Sequence, residues 1–102
     1  MIKLIKISKS KNNKKKFDAF FQIKDKFKKV SFGQAGANDY TITGDKEARA
    51  RYRARHKKDL LTKNNKLGIG AGALSYYVLW GDSKNIKENI SDYIKRFNLG
   101  FN

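Results

Sequence analysis

KFDAFFQIKDKFKKVSF, residues 16–32, alternates apolar and polar side chains with a period of two. From Lys16 to Ile23 the apolar set is Phe17, Ala19, Phe21 and Ile23, and the opposite set is Lys16, Asp18, Phe20 and Gln22. Because successive side chains of a strand point to opposite faces, this is a half-buried antiparallel strand. KDK at 24–26 is a tight turn, and Phe27–Phe32 is a second such strand with Val30 and Phe32 inward and Lys29 and Ser31 outward. Phe20 falls on the wet face. There it is either covered by another part of the chain or free to stack on a base, as sheet-borne aromatics do in some RNA binders.

Upstream, residues 2–8 make a further short strand, ended by the lysine-rich turn SKSKNNKKK with Asn12 and Asn13 at its tip. The opening MIKLIKIS alternates Lys with Ile and Leu and lacks the apolar core and cleavage site of a signal peptide, so it reads as part of the fold. Residues 1–34 thus predict a three-stranded antiparallel meander. Downstream, GQAGANDYTITG (33–44) reads as a connecting loop anchored by Tyr40 and Ile42. It has no GK[ST] ending, so it is not a nucleotide-binding P-loop.

GDKEARARYRARHKKDLL, residues 44–61, predicts a basic helix starting at Gly44 or Asp45. Asp45 and Glu47 lie in its first turn and His56, Lys57 and Lys58 near its end, the order that complements a helix dipole. At 100° per residue the alternating arginines cannot share a side. Arg49, Arg53 and His56 form one stripe and Arg51, Arg55 and Lys58 another, separated by a thin strip of Ala50, Ala54 and Leu61 and a second of Ala48 and Tyr52. Such a helix docks by one thin strip and leaves at least one basic stripe to solvent, acidic groups or phosphate.

TKNNKLGIGAG (62–72) breaks regular structure, and its GxGxG lacks the preceding strand and distant acid of a dinucleotide fingerprint. ALSYYVLW (73–80) fits either a helix or a strand and is read as a helix. After Gly81, Asp82 and Ser83 as stop and cap, the apolar stripe Ile86, Ile90, Tyr93, Ile94 and Phe97 predicts a helix ending near Asn98. That stripe, with Trp80 and Leu99, should cover the sheet. The expected fold class is therefore α+β: the meander followed by two or three helices packed on one face, in a single domain over 1–102, with 71–102 as its aromatic and apolar helical part.

The chain carries 24 Lys and Arg against 9 Asp and Glu, so most cations lack an intramolecular acid. Residues 1–43 hold 11 basic and 3 acidic groups, 44–70 hold 9 and 3, and 71–102 hold 4 and 3, placing +14 in the first 70 residues and +1 in the rest. One portion is suited to a polyanion and the other to building the core. With no Cys there is no disulfide framework, thiolate metal site or cysteine nucleophile. No apolar run approaches the roughly 20 residues of a membrane helix. His56 is the single histidine, and Asp39, Asp45 and Asp59 show no metal-ligand spacing, which places a nuclease behind the non-catalytic readings.

Four segments in order, VSFGQAGANDYT (30–41), GDKEARARYRARHKKD (44–59), AGALSYYVLWG (71–81) and ISDYIKRFNL (90–99), resemble a family of small basic proteins encoded by large DNA viruses of algae and amoebae. The resemblance covers about two thirds of the chain, with the lysine-rich hairpin its least similar portion. It implies a virion or virus-factory setting and carries over no catalytic residues, since that family has no assigned activity.

The leading expectation is a nucleic-acid-binding or packaging accessory protein without catalysis, cofactor or metal. Its phosphate contacts would be Arg49, Arg51, Arg53, Arg55, His56, Lys57 and Lys58 of the helix, with Lys14, Lys15 and Lys16 of the hairpin. Nothing in the pattern specifies base readout, and double-stranded DNA is favoured over RNA. The alternative is a minor structural protein of the virion whose basic face meets acidic protein or membrane surfaces.

Overall fold

The computed structural model describes residues 1–101. Alternation in the central strand β2 (Lys15–Ile23) allows it to pair on both edges, with β1 (Ile2–Lys9) and β3 (Lys26–Gln34), both antiparallel. A two-residue strand, β4 (Gly100–Phe101), adds parallel to β1 at Lys3 and Leu4, giving the sheet order β3-β2-β1-β4. The protein is α+β, a three-stranded antiparallel meander with a short fourth strand and several helices.

Side chains of the meander sort as their period requires. Leu4, Ala19, Phe21 and Phe32 are fully buried on the inner face, and Phe17 packs its ring 5.8 Å from that of Phe32. Between Leu4↔Phe21 and Lys6↔Phe20 the register shifts, so Ile5 is the extra residue of a bulge and stays 39% exposed. On the outer face Asp18 is buried, accepting hydrogen bonds from Ser10 Oγ (2.8 Å) and Ser31 Oγ (2.6 Å). These hydroxyls, Ser31 foremost, hold its carboxyl below the ordinary 3.8.

The connection to the helices is more ordered than a loop. Asp39 caps a short helix α1 (Tyr40–Thr43) by accepting from Thr41 N. Tyr40 is buried, as expected of an anchor, but Ile42 is 56% exposed and anchors nothing. Then come the basic helix α2 (Lys46–His56), continued by a 3₁₀ turn over Lys57–Leu61, and a single turn α3 (Lys63–Lys66) inside a stretch expected to be irregular.

The aromatic stretch that fitted either state is helical: α4 (Ala71–Leu74) runs into a π-helical turn over Ser75–Leu79, closed by Trp80 N donating to Ser75 O at 3.0 Å. It buries Ala73, Leu74, Tyr76, Val78 and Leu79. Helix α5 (Ile86–Arg96) starts at Asn85, whose side chain accepts from Lys87 N and Glu88 N; Ser83, the expected cap, instead accepts from Asn85 N. The helix stops where Asn98 takes a left-handed φ of 52° and Leu99 N reaches back to Ile94 O.

Two buried polar groups tie this layer together. Tyr93 donates its hydroxyl to Gly68 O at 2.5 Å, and Gly68, at φ 86°, lies so close to the Phe97 ring that a side chain there would collide with it. Asn89 donates to Val78 O (2.9 Å) and Ser83 O (2.7 Å) and accepts from Ser83 N (2.9 Å), leaving none of its polar atoms unmatched. Ile86, Ile90, Ile94 and Trp80 pack on the core but are only partly covered, whereas Leu99 is buried.

Candidate nucleic-acid interface

The basic helix begins at Asp45, whose carboxylate accepts from Glu47 N and Ala48 N, both at 3.0 Å. None of its eleven residues is fully buried. What fixes its orientation is polar and aromatic. Arg49 Nε donates to Gly81 O at 2.7 Å while its Nη2 pairs with Asp82. Arg53 Nη1 donates to Trp80 O at 3.0 Å, lies 3.6 Å from Asp82, and its guanidinium sits 4.4 Å from the centre of the Tyr76 ring. Tyr52 stacks at 4.4 Å on Trp80, with an interplanar angle of 8°, and on its other side at 4.2 Å on His56. Burial pushes the Tyr52 hydroxyl pKa up.

Of the two thin strips, the helix therefore docks by Ala48 and Tyr52, and Ala50, Ala54 and Leu61 stay exposed. The arginines divide accordingly. Arg49 and Arg53, expected to contact phosphate, are half-buried and fasten α2 to the loop after Leu79. Arg51 and Arg55 are exposed, as are Lys57 and Lys58 in the following turn, and none of these four has a carboxylate within salt-bridge distance among the described residues. His56 is held on Asp59 by a 2.8 Å contact from Nδ1.

The hairpin divides in the same way. Lys16 is bound to the buried Asp39 at 2.5 Å, while Lys14 and Lys15 are exposed. Lys15 and Arg55 line one cleft of about 480 Å³, together with Gln34, Tyr52, His56 and Trp80. The fold thus brings the hairpin and the helix to a common basic opening. Asp39, the carboxylate that also lines it, is already engaged by Lys16 and the Thr41 hydroxyl. Among the described residues no three His, Cys, Asp or Glu side chains gather as metal ligands would. Asp82 was missed as an organising residue; an acid set in the nearly neutral aromatic segment was the available signal.

The model of a family of unknown function, DUF5754, matches residues 5–56, which is the meander, α1 and α2. The chain belongs to this family. The DUF5754 match takes in the lysine-rich hairpin as well as the basic helix, and it stops before α4 and α5. No curated protein and no solved structure matches the chain. No helix among the described residues is long and apolar enough to cross a membrane.

Proposed function

We propose that this protein is a non-catalytic nucleic-acid-binding accessory protein of a large DNA virus, acting in genome packaging or in the virus factory. It grips the phosphate backbone of double-stranded DNA with weak sequence preference. The observation that carries the reading is the row of exposed, acid-free cations Arg51, Arg55, Lys57 and Lys58, with the hairpin's Lys14 and Lys15 also exposed. Forked or mobile cations held at close intervals on a fixed element are what backbone contact requires, and none of the six side chains has a carboxylate within salt-bridge distance among the described residues. The viral setting rests on the resemblance of the four segments quoted above.

Neutralising six phosphates releases about 0.9 counterion each, so log K is expected to fall with log salt at a slope of about −5. A salt titration on two unrelated duplexes measures it, and a flat dependence would sink the proposal. A second reading, a virion structural protein bound to an acidic neighbour, draws on the apolar groove between β1 and α5. Ile5, Ile7, Ile90, Ile94 and Phe101 line it, and among the described residues its charged lining groups are Lys6, Lys87 and Lys95. Absence of salt-sensitive DNA binding would favour that reading.

A further inference from the structure

We infer that the outer face of the meander is a second, separate contact surface, a platform on which single-stranded nucleic acid stacks its bases. The strand register aligns side chains in rows across three strands. One row is Lys6–Phe20–Lys29 and the next is Lys3–Gln22–Phe27, all on the face turned away from the buried Leu4, Ala19 and Phe21. Phe27 is 73% exposed. Phe20 is half-buried at the middle of the sheet, and its visible ring is met by Lys6 Nζ at 5.0 Å from the centroid. An aromatic ring kept on a solvated sheet face between two exposed lysines contributes nothing to the core, but it is the element from which sequence-tolerant stacking sites are built.

The third row, Ser8–Asp18–Ser31, disposes of the face's own carboxylate, because Asp18 is buried under the Ser10 and Ser31 hydroxyls. Asp25 lies in the β2–β3 turn between Lys24 and Lys26. Apart from that covered carboxylate, the charged side chains of the three rows are Lys3, Lys6 and Lys29, which fits an anionic strand. Phe20 and Phe27 are diagonal neighbours on adjacent strands, a relation that sets side chains about 7–8 Å apart. That is about twice the 3.4 Å rise between stacked nucleotides, so two bases would lie one on each ring, unstacked from one another. Gln22, beside Phe27, donates to Lys24 O at 3.2 Å and keeps its carbonyl oxygen for a base edge.

This inference shares with the proposed function only the class of ligand, and the two fail separately. The probe is a fluorescent oligothymidylate, compared by anisotropy with an abasic strand of the same length and with a duplex. Phe27→Ala and Phe20→Leu, the latter keeping bulk on the sheet, are expected to weaken oligothymidylate binding by roughly fivefold to a hundredfold each, the range for losing one base–aromatic stack. Abasic-strand and duplex binding should stay within about twofold. Equal loss on thymidylate and abasic strands, or no loss on either, would overturn the platform while leaving the duplex reading intact. If the Phe variants instead impair binding to phosphatidylserine vesicles and leave oligothymidylate unaffected, the face is a membrane contact and the inference is wrong.

Discussion

Replacing the arginines of α2 in pairs separates their two roles. Arg53→Ala removes a charged hydrogen bond to Trp80 O, about 1.5–3 kcal/mol, and the guanidinium's contact with Tyr76, about 0.5–1 kcal/mol. The ion pair adds little, since the Asp82 side chain is 78% exposed. The sum, about 2–4 kcal/mol, corresponds to a fall in melting temperature of at least about 8 °C for a domain of this size. Arg49→Ala, losing Gly81 O, is expected to act in the same direction. Arg51 and Arg55 are exposed and have no ion-pair partner among the described residues, so Arg51→Ala and Arg55→Ala should change stability by no more than about 0.5 kcal/mol. Yet the Arg51/Arg55 double variant should lower the duplex salt slope by about two units, from about −5 to about −3. Differential scanning calorimetry on the four single variants and salt titration of the Arg51/Arg55 double variant against wild type give the two readouts. Equal melting shifts for all four arginines would refute the docking geometry. An unchanged slope in the Arg51/Arg55 variant would refute the exposed stripe as the contact.

Asn89→Asp replaces two donors with a buried charge facing Val78 O and Ser83 O, and is expected to lower stability by about 3 kcal/mol or more in urea titrations; wild-type behaviour would mean that this junction is open to water. The pH response of Asp18 has a definite sign. Its folded pKa lies below 3.8, so the stabilisation from Ser31 and Ser10 is fully present above that value and is lost as pH falls through the depressed folded one. Asp18→Asn should therefore flatten the acid limb of a stability–pH curve, and an unchanged limb would assign the acid response to other carboxylates.

The parts of the fold written in local sequence were legible. Alternation over residues 16–32 gives the two strands and their inner face, the 3.6 period of Ile86–Phe97 gives α5, and Asp45 announces the start of α2. What needed distant partners was not. Ala48/Tyr52 and Ala50/Ala54/Leu61 are equally plausible docking strips until Trp80 and Asp82 arrive from the far side of α3 to select the first. The same choice divides the arginines, so a site of seven helix cations shrinks to the exposed members. Ile42 illustrates the converse: an apolar residue in a one-turn helix has only one side to bury, and Tyr40 takes it. Strand β4 has two residues, too few for any periodic signal.

Helix α2 is fastened by guanidinium, carbonyl and ring contacts, with no fully buried side chain along its length. Detaching it would hydrate the Tyr52–Trp80 stack and the Tyr76 ring but leave the core of the sheet and α5 closed, so such an opening carries a smaller change in heat capacity than melting that core. The two parts of the molecule respond to different agents. Cooling acts through buried apolar area and so mainly through the core, and urea through apolar and peptide groups alike, whereas guanidinium ion in addition carries the charge that competes directly for the Trp80 and Gly81 carbonyls and for Asp82. Hydrogen exchange along Lys46–His56 should accelerate in guanidinium chloride well before the strands do, and much less in urea of equal denaturing strength on the core.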